Sequence, residues 1–350
     1  MMIRAVLGNP NHPEYGVATI PFPIPRDQYA HCVELLEALE IGDAVKADCK
    51  VERIDSFYTV LKRTEMLTVN VEELNYLAKR LDSFDTGEAA QFQAMAHKLE
   101  LFELKDLINL TFCCQQATVI TDFSDLAAIG RDHYMNLHGG SASADELNAL
   151  DDKGTARQLI ESGSGTITPY GVVYDNGMKL EQIYDGRFFP CYYYEPNAIT
   201  VAVTAKSEPE DTEHITWLFL PMIQEEIDRA LLRGGITDPS EIRLSLEDSW
   251  LPHEVLDLLD MDHVDISELN ALVQALDEFS DMSIRKYAAA AVMARPHTTE
   301  QAKHLAENLD LFDFAPSAST PEEYGKYMIQ KSGRFEYDEN LDAFYDYEKY

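Results

Sequence analysis

Short apolar stretches at the start of the chain predict two strands followed by a helix. Ile3 to Leu7 and Val17 to Phe22 are apolar-rich runs of strand length, bounded by Pro, Asn and Gly. A proline follows the second run directly. The apolar residues beyond it recur with the spacing of one helical face: Tyr29, Cys32, Val33, Leu36 and Leu39.

The pattern then repeats. Glu73-Leu74-Asn75 recurs 195 positions later as Glu268-Leu269-Asn270, and Leu81-Asp82-x-Phe84 recurs at the same distance as Leu276-Asp277-x-Phe279. Asn70 and Asp265 each stand three residues before the Glu of their motif, as the first residue of a capping box does. Self-similarity at a fixed distance indicates a duplicated unit with a helix at the same place in each copy.

The repeat extends in both directions. Ile199 to Val203 and Ile215 to Phe219 predict the strands of a second copy, and helical spacing follows at Ile227, Ala230 and Leu231. Downstream, Tyr174-Asp175-Asn176-Gly177 resembles Tyr337-Asp338-Glu339-Asn340 at a shorter distance. The first copy therefore holds extra residues, and the segment 139–155, rich in Gly, Ser, Asp and Ala, is predicted to be a loop insertion.

These elements predict an α+β fold made of two tandem copies of a small multi-subdomain α+β unit. The first copy is predicted to span residues 1–194 and the second residues 198–350, with a boundary near Glu195-Pro196-Asn197. Each copy is expected to have a strand–strand–helix start, a helical middle, and a Tyr- and Asp-rich end with short strands.

The net charge of the chain limits the classes of partner that it can bind. The chain has 28 Lys and Arg against 62 Asp and Glu, a formal net charge of −34. A protein this acidic repels DNA and anionic lipid and attracts basic surfaces, so we expect neither direct nucleic-acid binding nor membrane association. The longest run of small apolar residues, Ala288 to Met293, is too short to span a bilayer. An odd number of cysteines without a C-x-x-C pair is typical of reduced thiols in a cytoplasmic protein.

No catalytic motif occurs in the sequence. There is no G-x-G-x-x-G, Walker A loop, H-E-x-x-H or G-x-S-x-G. The acidic run Asp260 to Asp265 lacks the Gly and Glu that an EF-hand loop requires, so it predicts a solvated loop before a helix. We therefore expect a protein that is not an enzyme and that needs no cofactor or metal.

The distribution of carboxylates is the strongest functional signal. On the first predicted helix, Glu34, Glu37 and Glu40 recur every three residues beside the apolar face. Like charges at such spacing destabilise a helix, and a fold that needs only solubility mixes its charges. The candidate partner-binding residues on acidic faces are Glu34, Glu37, Glu40, Glu72, Glu73, Asp82, Asp85, Glu225, Glu226, Asp228, Asp257, Asp260, Asp262, Asp338, Glu339, Asp342 and Asp346.

The order of these motifs resembles that of the ArdA antirestriction proteins of mobile genetic elements. The second copy has Phe219-Leu220-Pro221 before an acidic helix, then the helix at Glu268, and an acidic tyrosine-rich tail; the first copy has Phe22-Pro23-Ile24. The resemblance implies an elongated multi-domain protein whose carboxylates imitate DNA phosphates. It also implies a partner, the DNA-binding groove of a type I restriction–modification enzyme. Members of that family carry one copy and form dimers, so two copies leave open whether this chain is a monomer or a homodimer.

Other interpretations fit the composition. The chain could be a generic acidic interaction protein or an inhibitor of another basic, DNA-binding protein. A hydrolase with a carboxylate-bound metal would need converging ligands in a pocket. Salt adaptation would explain the charge but not the order of motifs. Crowded carboxylates also predict raised pKa values in the folded state, and hence stabilisation by mild acid.

Overall fold

The structure, a computed structural model, describes residues 2–207, 213–257 and 259–349, which form two compact units with a mixed α+β fold. Unit 1 contains the chain up to Pro196, a short segment that ends at Trp217, and Ile223–Asp238. Unit 2 contains Asn197–Ser207, Leu218–Met222 and the chain from position 239 onward. The segment Ile223–Asp238, which the sequence analysis assigned to the second copy, belongs to unit 1.

Unit 1 begins with an antiparallel sheet in the order β2-β1-β3-β4. Its strands are β1 (Ile3–Gly8), β2 (Val17–Phe22), β3 (Cys49–Asp55) and β4 (Thr68–Val69). Along β2 the buried residues alternate with more exposed ones, so one face of the sheet packs inward. Helix α1 (Tyr29–Glu37) buries Tyr29, Cys32 and Leu36 against the same core.

The helical middle of unit 1 consists of α2 (Val71–Asp82), α3 (Thr86–Lys98) and α4 (Leu104–Leu110). Asn70 caps α2 by accepting from the backbone N–H of Glu73 over 3.1 Å. Asp85 and Glu88 form a capping box on α3. Each cap satisfies N–H groups that have no partner within the helix, which fixes where the helix begins.

A third part of unit 1 has its own small core. Strands β5 (Thr118–Ile120), β6 (Thr166–Thr168) and β7 (Gly171–Tyr174) pair in the order β5-β7-β6. Helices α5 (Leu126–Leu137), α6 (Ala144–Ala149) and α7 (Asp152–Glu161) join them. The prediction of a loop over 139–155 is wrong. This segment contains two helix N-caps, a Ser143–Glu146 capping box and Asp151. Its high Gly and Ser content led to the prediction of a loop in spite of these caps.

Unit 1 also contains α8 (Gln224–Arg233), and unit 2 has a smaller sheet and its own helices. The unit 2 sheet has the order β10-β8-β9, with strands β8 (Ile199–Ala205), β9 (Thr216–Leu220) and β10 (Ile242–Ser249). The helices are α9 (His253–Leu256), α10 (Ile266–Asp277), α11 (Asp281–Ala294), α12 (Thr299–Glu307) and α13 (Pro321–Gln330). The tail forms a 3-10 turn over Glu339–Phe344, not the predicted short strands.

Several features of the two halves support the proposed duplication. The bonds Phe22-Pro23 and Leu220-Pro221 are both cis. The next residue, Ile24 or Met222, donates its N–H over 2.9 Å to the side-chain oxygen of Asn75 or Asn270 respectively. Three helix pairs, α2 with α10, α3 with α11 and α5 with α13, begin 195 residues apart. Among the described residues no helix is long and apolar enough to cross a membrane.

Candidate partner-binding surfaces

Helix α8 carries two arginines that are held inside unit 1. Arg229 donates from Nε to Glu72 Oε1 over 2.6 Å and from Nη2 to the carbonyl of Gly42 over 2.7 Å. Glu72 also accepts from the hydroxyl of Tyr29 on α1. Both partners of the ion pair are mostly shielded from solvent. The ion pair therefore links α8 to α2, and the hydrogen bond to Gly42 links α8 to the segment that follows α1.

Arg233, one helical turn later, is 4% exposed and uses all five of its N–H groups. Its acceptors are the carbonyls of Ala44, Gly186 and Arg187, the side-chain oxygen of Asn70, and the hydroxyl of Tyr184. The guanidinium also lies over the ring of Phe189 at 4.3 Å. A buried cation with complete hydrogen bonding fixes the position of the helix that carries it.

Glu73 completes this interior network. It accepts from the hydroxyl of Tyr184 over 2.7 Å and lies 3.7 Å from Arg233. Burial raises the pKa of Glu73, and the hydrogen bond from Tyr184 and the positive charge of Arg233 oppose that rise. Burial likewise raises the pKa of Tyr184 and of Tyr29. These groups act as internal polar contacts of unit 1.

Four carboxylates predicted for an acidic surface are instead half-buried. Glu72 and Glu73 face α8, and Glu226 is half-buried, where burial raises its pKa against the attraction of Lys79 and Arg26. Asp82 is also half-buried and accepts from the hydroxyl of Tyr194 over 2.9 Å. The sequence pattern marks these residues as polar, but the contacts that cover them come from residues far along the chain.

The other candidates in unit 1 are exposed. Glu34, Glu37 and Glu40 lie on and just after α1, and among the described residues only Glu34 of these three lies within ion-pair distance of a basic side chain, His31 at 3.9 Å. On α8, Glu225 and Asp228 are exposed, and Asp228 accepts from Gln224. Each helix thus presents a pair of carboxylates three residues apart, on the side opposite its buried residues. Asp85 is exposed too, but it is bound to the N-terminus of α3.

The acidic loop of unit 2 forms a turn before α10, as predicted. Asp257, Asp260 and Asp262 are exposed. Asp260 contacts His263 at 2.8 Å, and Asp262 lies 4.0 Å from Arg243. Within the described ranges no group of three or more His, Cys, Asp or Glu side chains is arranged to hold a metal ion.

The tail carboxylates Asp338, Glu339, Asp342 and Asp346 are exposed. Asp342 accepts from Gln330 and from the hydroxyls of Tyr337 and Tyr347, and these bonds, that from Tyr337 first, lower its pKa. Asp346 pairs with Lys349 at 2.7 Å. The tail is therefore an organised segment in which tyrosines hold one carboxylate, and the remaining acidic side chains face solvent.

The most important residues that sequence reasoning missed are Arg229 and Arg233. Their signal was present, because two arginines four residues apart on an otherwise acidic helix form a basic stripe. No protein-family model, curated protein or solved structure matches this chain. Its function is therefore argued from its own residues.

Proposed function

We propose that the protein is an antirestriction protein that acts as a DNA mimic and occupies the DNA-binding groove of a type I restriction–modification enzyme. The observation that carries the proposal is the set of exposed carboxylates on α1 and α8 of unit 1, of which only Glu34 forms an ion pair with another described residue. In this proposal the chain binds stoichiometrically and catalyses nothing.

The spacing of these carboxylates supports the proposal. Residues three apart on a helix differ by about 4.5 Å along its axis. One strand of B-DNA places its phosphates about 3.4 Å apart along the duplex axis. Glu34 with Glu37, and Glu225 with Asp228, therefore supply negative charge at an axial density comparable with that of one DNA strand.

The internal contacts of α8 support it as well. A mimic must hold its charges in place before binding, because ordering them on the enzyme would cost affinity. Arg229 and Arg233 fix α8 from its inner side, while Glu225 and Asp228 stand on its outer side. The basic and acidic residues of this helix thus have separate roles.

The test is competition with DNA for a purified type I methyltransferase complex over a series of salt concentrations. DNA loses affinity steeply with salt because it releases condensed counterions, with a log–log slope of about −0.9 per neutralised phosphate. A folded protein condenses fewer ions, so the complex with this chain is expected to have a shallower slope. We expect it to displace DNA best at moderate ionic strength.

A variant in which four of these carboxylates are replaced by neutral amides tests whether they form the binding surface. Glu34→Gln, Glu37→Gln, Glu225→Gln and Asp228→Asn combined are expected to weaken competition at least tenfold, in steps distributed over the four sites. The matched control replaces the exposed Glu100 and Glu161 of the same unit with Gln. An equal loss per removed charge in both sets would show that only overall charge matters, and failure to displace DNA at any salt would reject this target.

The alternative partner is another basic, DNA-binding protein. The same exposed carboxylates support this alternative, because their negative charge would attract any basic groove and does not select one enzyme. A panel of DNA-binding proteins in the same competition assay separates the two. Displacement of DNA from an unrelated repressor or nuclease, with no effect on the methyltransferase, would assign the chain to the alternative.

A further inference from the structure

The hydroxyl of Thr118, at the start of β5, is the centre of a polar cluster inside unit 1. Thr118 is 2% exposed. Its Oγ1 lies 2.9 Å from Nδ1 of His133 and 3.3 Å from Nδ2 of Asn136, both on α5. Nδ2 of Asn176, just after β7, lies 2.9 Å from the same oxygen and also donates to the carbonyl of Gln116 over 2.7 Å. We call Thr118, His133, Asn136 and Asn176 the Thr118 cluster.

The hydrogen bonds of this cluster determine the protonation state of His133. A carbonyl can only accept, so the Gln116 oxygen fixes the amide of Asn176 with its nitrogen toward Thr118. Asn136 also presents its amide nitrogen, which can only donate. A hydroxyl oxygen accepts two hydrogen bonds and has one proton to donate. The Thr118 hydroxyl must therefore donate to Nδ1 of His133, which requires a neutral imidazole with its proton on Nε2.

The cluster attaches the second half of α5 to the sheet. The small core in this part of unit 1 includes Leu126 and Ile129, which lie in the first half of α5. His133 and Asn136 follow Ile129 at helical spacing, so the three side chains share one side of the helix. The first half of α5 is therefore held by apolar packing, and the second half by hydrogen bonds to Thr118.

The surroundings of His133 favour its neutral form. Helix α5 packs against β5, α7 and the 3-10 turn Cys114–Gln116. Burial lowers the pKa of His133 below the ordinary value of 6.5. Asp152 of α7 pairs with Arg131 at 3.0 Å, and Asp175, beside Asn176, pairs with Lys98 at 2.6 Å.

The other titratable side chains on α5, at its N-cap, on the elements packed against it and at the end of β7 do not offset the effect of burial. They are Cys114, Asp125, Asp132, Tyr134, Lys153, Arg157, Glu161 and Tyr174. Among the described residues no charge contributes to the shift of the His133 pKa, so burial alone sets its direction. An imidazolium at this position would therefore lack a compensating carboxylate.

We propose that His133 is an acid-sensitive latch: protonation of its Nδ1 breaks the Thr118 cluster and releases the second half of α5 from β5. The protonated nitrogen would be a third donor toward an oxygen that already accepts twice, and the Thr118 proton would lose its acceptor. Because the folded-state pKa is lowered, the stability that the cluster contributes is present above the unfolded pKa. That stability is lost as the pH falls from there through the folded pKa. The first half of α5 keeps its apolar packing, so the release is local.

Nitrogen-15 NMR of the full chain labelled at histidine measures the tautomer of His133 directly. The His133→Gln variant identifies the resonance, because its spectrum lacks that signal. At pH 7.5 we expect a proton on Nε2 and none on Nδ1, and a titration midpoint below that of histidine in the urea-unfolded chain. A proton on Nδ1 at pH 7.5, or a midpoint at or above that of the unfolded chain, would overturn the proposal.

Hydrogen exchange at residues 130–137, corrected for the intrinsic effect of pH, tests the release. Protection there is expected to fall about tenfold or more for each pH unit below the folded-state midpoint of His133, while protection of α3 changes little. His133→Gln offers Thr118 an acceptor that does not titrate, so it should remain protected at all these pH values. His138→Gln, at an exposed position that contacts the carbonyl of Tyr134, is the matched control and should keep the pH dependence.

Circular dichroism at pH 7.5 checks that both variants are folded. If His133→Gln does not fold, the tautomer and the exchange of the unmodified chain still decide the outcome. Protection that stays constant as the pH falls, an equal fall in His133→Gln, or a fall that disappears in His138→Gln would overturn the proposal.

Discussion

Arg229 on α8 donates to Glu72 on α2 over 2.6 Å, although the two residues are 157 positions apart in the sequence. Each side chain is mostly buried, and each has a second partner, Gly42 for the arginine and Tyr29 for the glutamate. This ion pair therefore belongs to the interior of unit 1. Removal of one member leaves the other charge in a poorly solvated place.

Arg229→Met is expected to destabilise unit 1 by about 3 kcal/mol, because breaking a buried pair leaves an uncompensated carboxylate. Urea denaturation followed by tryptophan fluorescence and circular dichroism measures the loss. Lys326→Met, which breaks the exposed Lys326–Glu322 pair, is the control and should change stability by less than about 1 kcal/mol. Equal effects would show that the Arg229 pair is no more important than a surface pair.

Stability should rise as the pH falls from neutral to mildly acidic values. Burial raises the folded-state pKa of Glu73 and Glu226 above the ordinary value of 4.5. A raised pKa contributes stability that is present below the unfolded pKa and is lost as the pH rises through the folded pKa. Asp43 and Asp175, whose pKa values are lowered chiefly by hydrogen bonds, contribute in the opposite sense at lower pH.

Melting temperatures between pH 7.5 and 4.5 at constant ionic strength are therefore expected to pass through a maximum on the acidic side of neutrality. Glu226→Gln removes one of the groups with a raised pKa, so it should stabilise the protein at pH 7.5 and flatten the pH dependence. Glu225→Gln, at the exposed neighbouring position, is the control. A melting temperature that falls steadily from pH 7 to pH 5 would contradict the assignment.

Gly130 on α5 and Gly325 on α13 each lie where neighbouring backbone leaves no room for a Cβ atom. A Cβ at Gly130 would overlap the carbonyl of Asp152, and a Cβ at Gly325 would overlap the carbonyl of Tyr347. Backbone atoms cannot move aside without distorting the elements around them, so each Gly→Ala change should lower the free energy of unfolding by about 1–3 kcal/mol or more. Gly87→Ala on α3, which meets only the side chain of Asp85, should be neutral or mildly stabilising.

Asn75 and Asn270 should have the same structural role. Each accepts from the N–H that follows a cis-proline, and each is nearly fully buried. Replacement by Ala leaves that N–H without its partner, so Asn75→Ala and Asn270→Ala should each destabilise by about 1–3 kcal/mol. The exposed Asn148→Ala on α6 is the control. A loss at only one of the two positions would weaken the case for duplication.

The sequence by itself determined the local elements and their order. Apolar spacing located β1, β2 and α1, the repeated Glu-Leu-Asn motif located α2 and α10, and Asn70 and Asp265 cap those two helices as predicted. These features could be predicted because caps and periodicity depend on neighbours within a few residues. The segment 139–155 was mistaken for a loop because its composition outweighed its capping signals.

Only the tertiary structure decided which polar faces meet solvent. Glu34 and Glu73 are both acidic residues on amphipathic helices, yet one is exposed and the other contacts Tyr184 and lies near Arg233. Val292 and Ala94 are both apolar, yet only Ala94 is covered. Local spacing tells which residues share a face, whereas the residues that cover the face can lie more than a hundred positions away in the sequence, as Tyr184 does for Glu73.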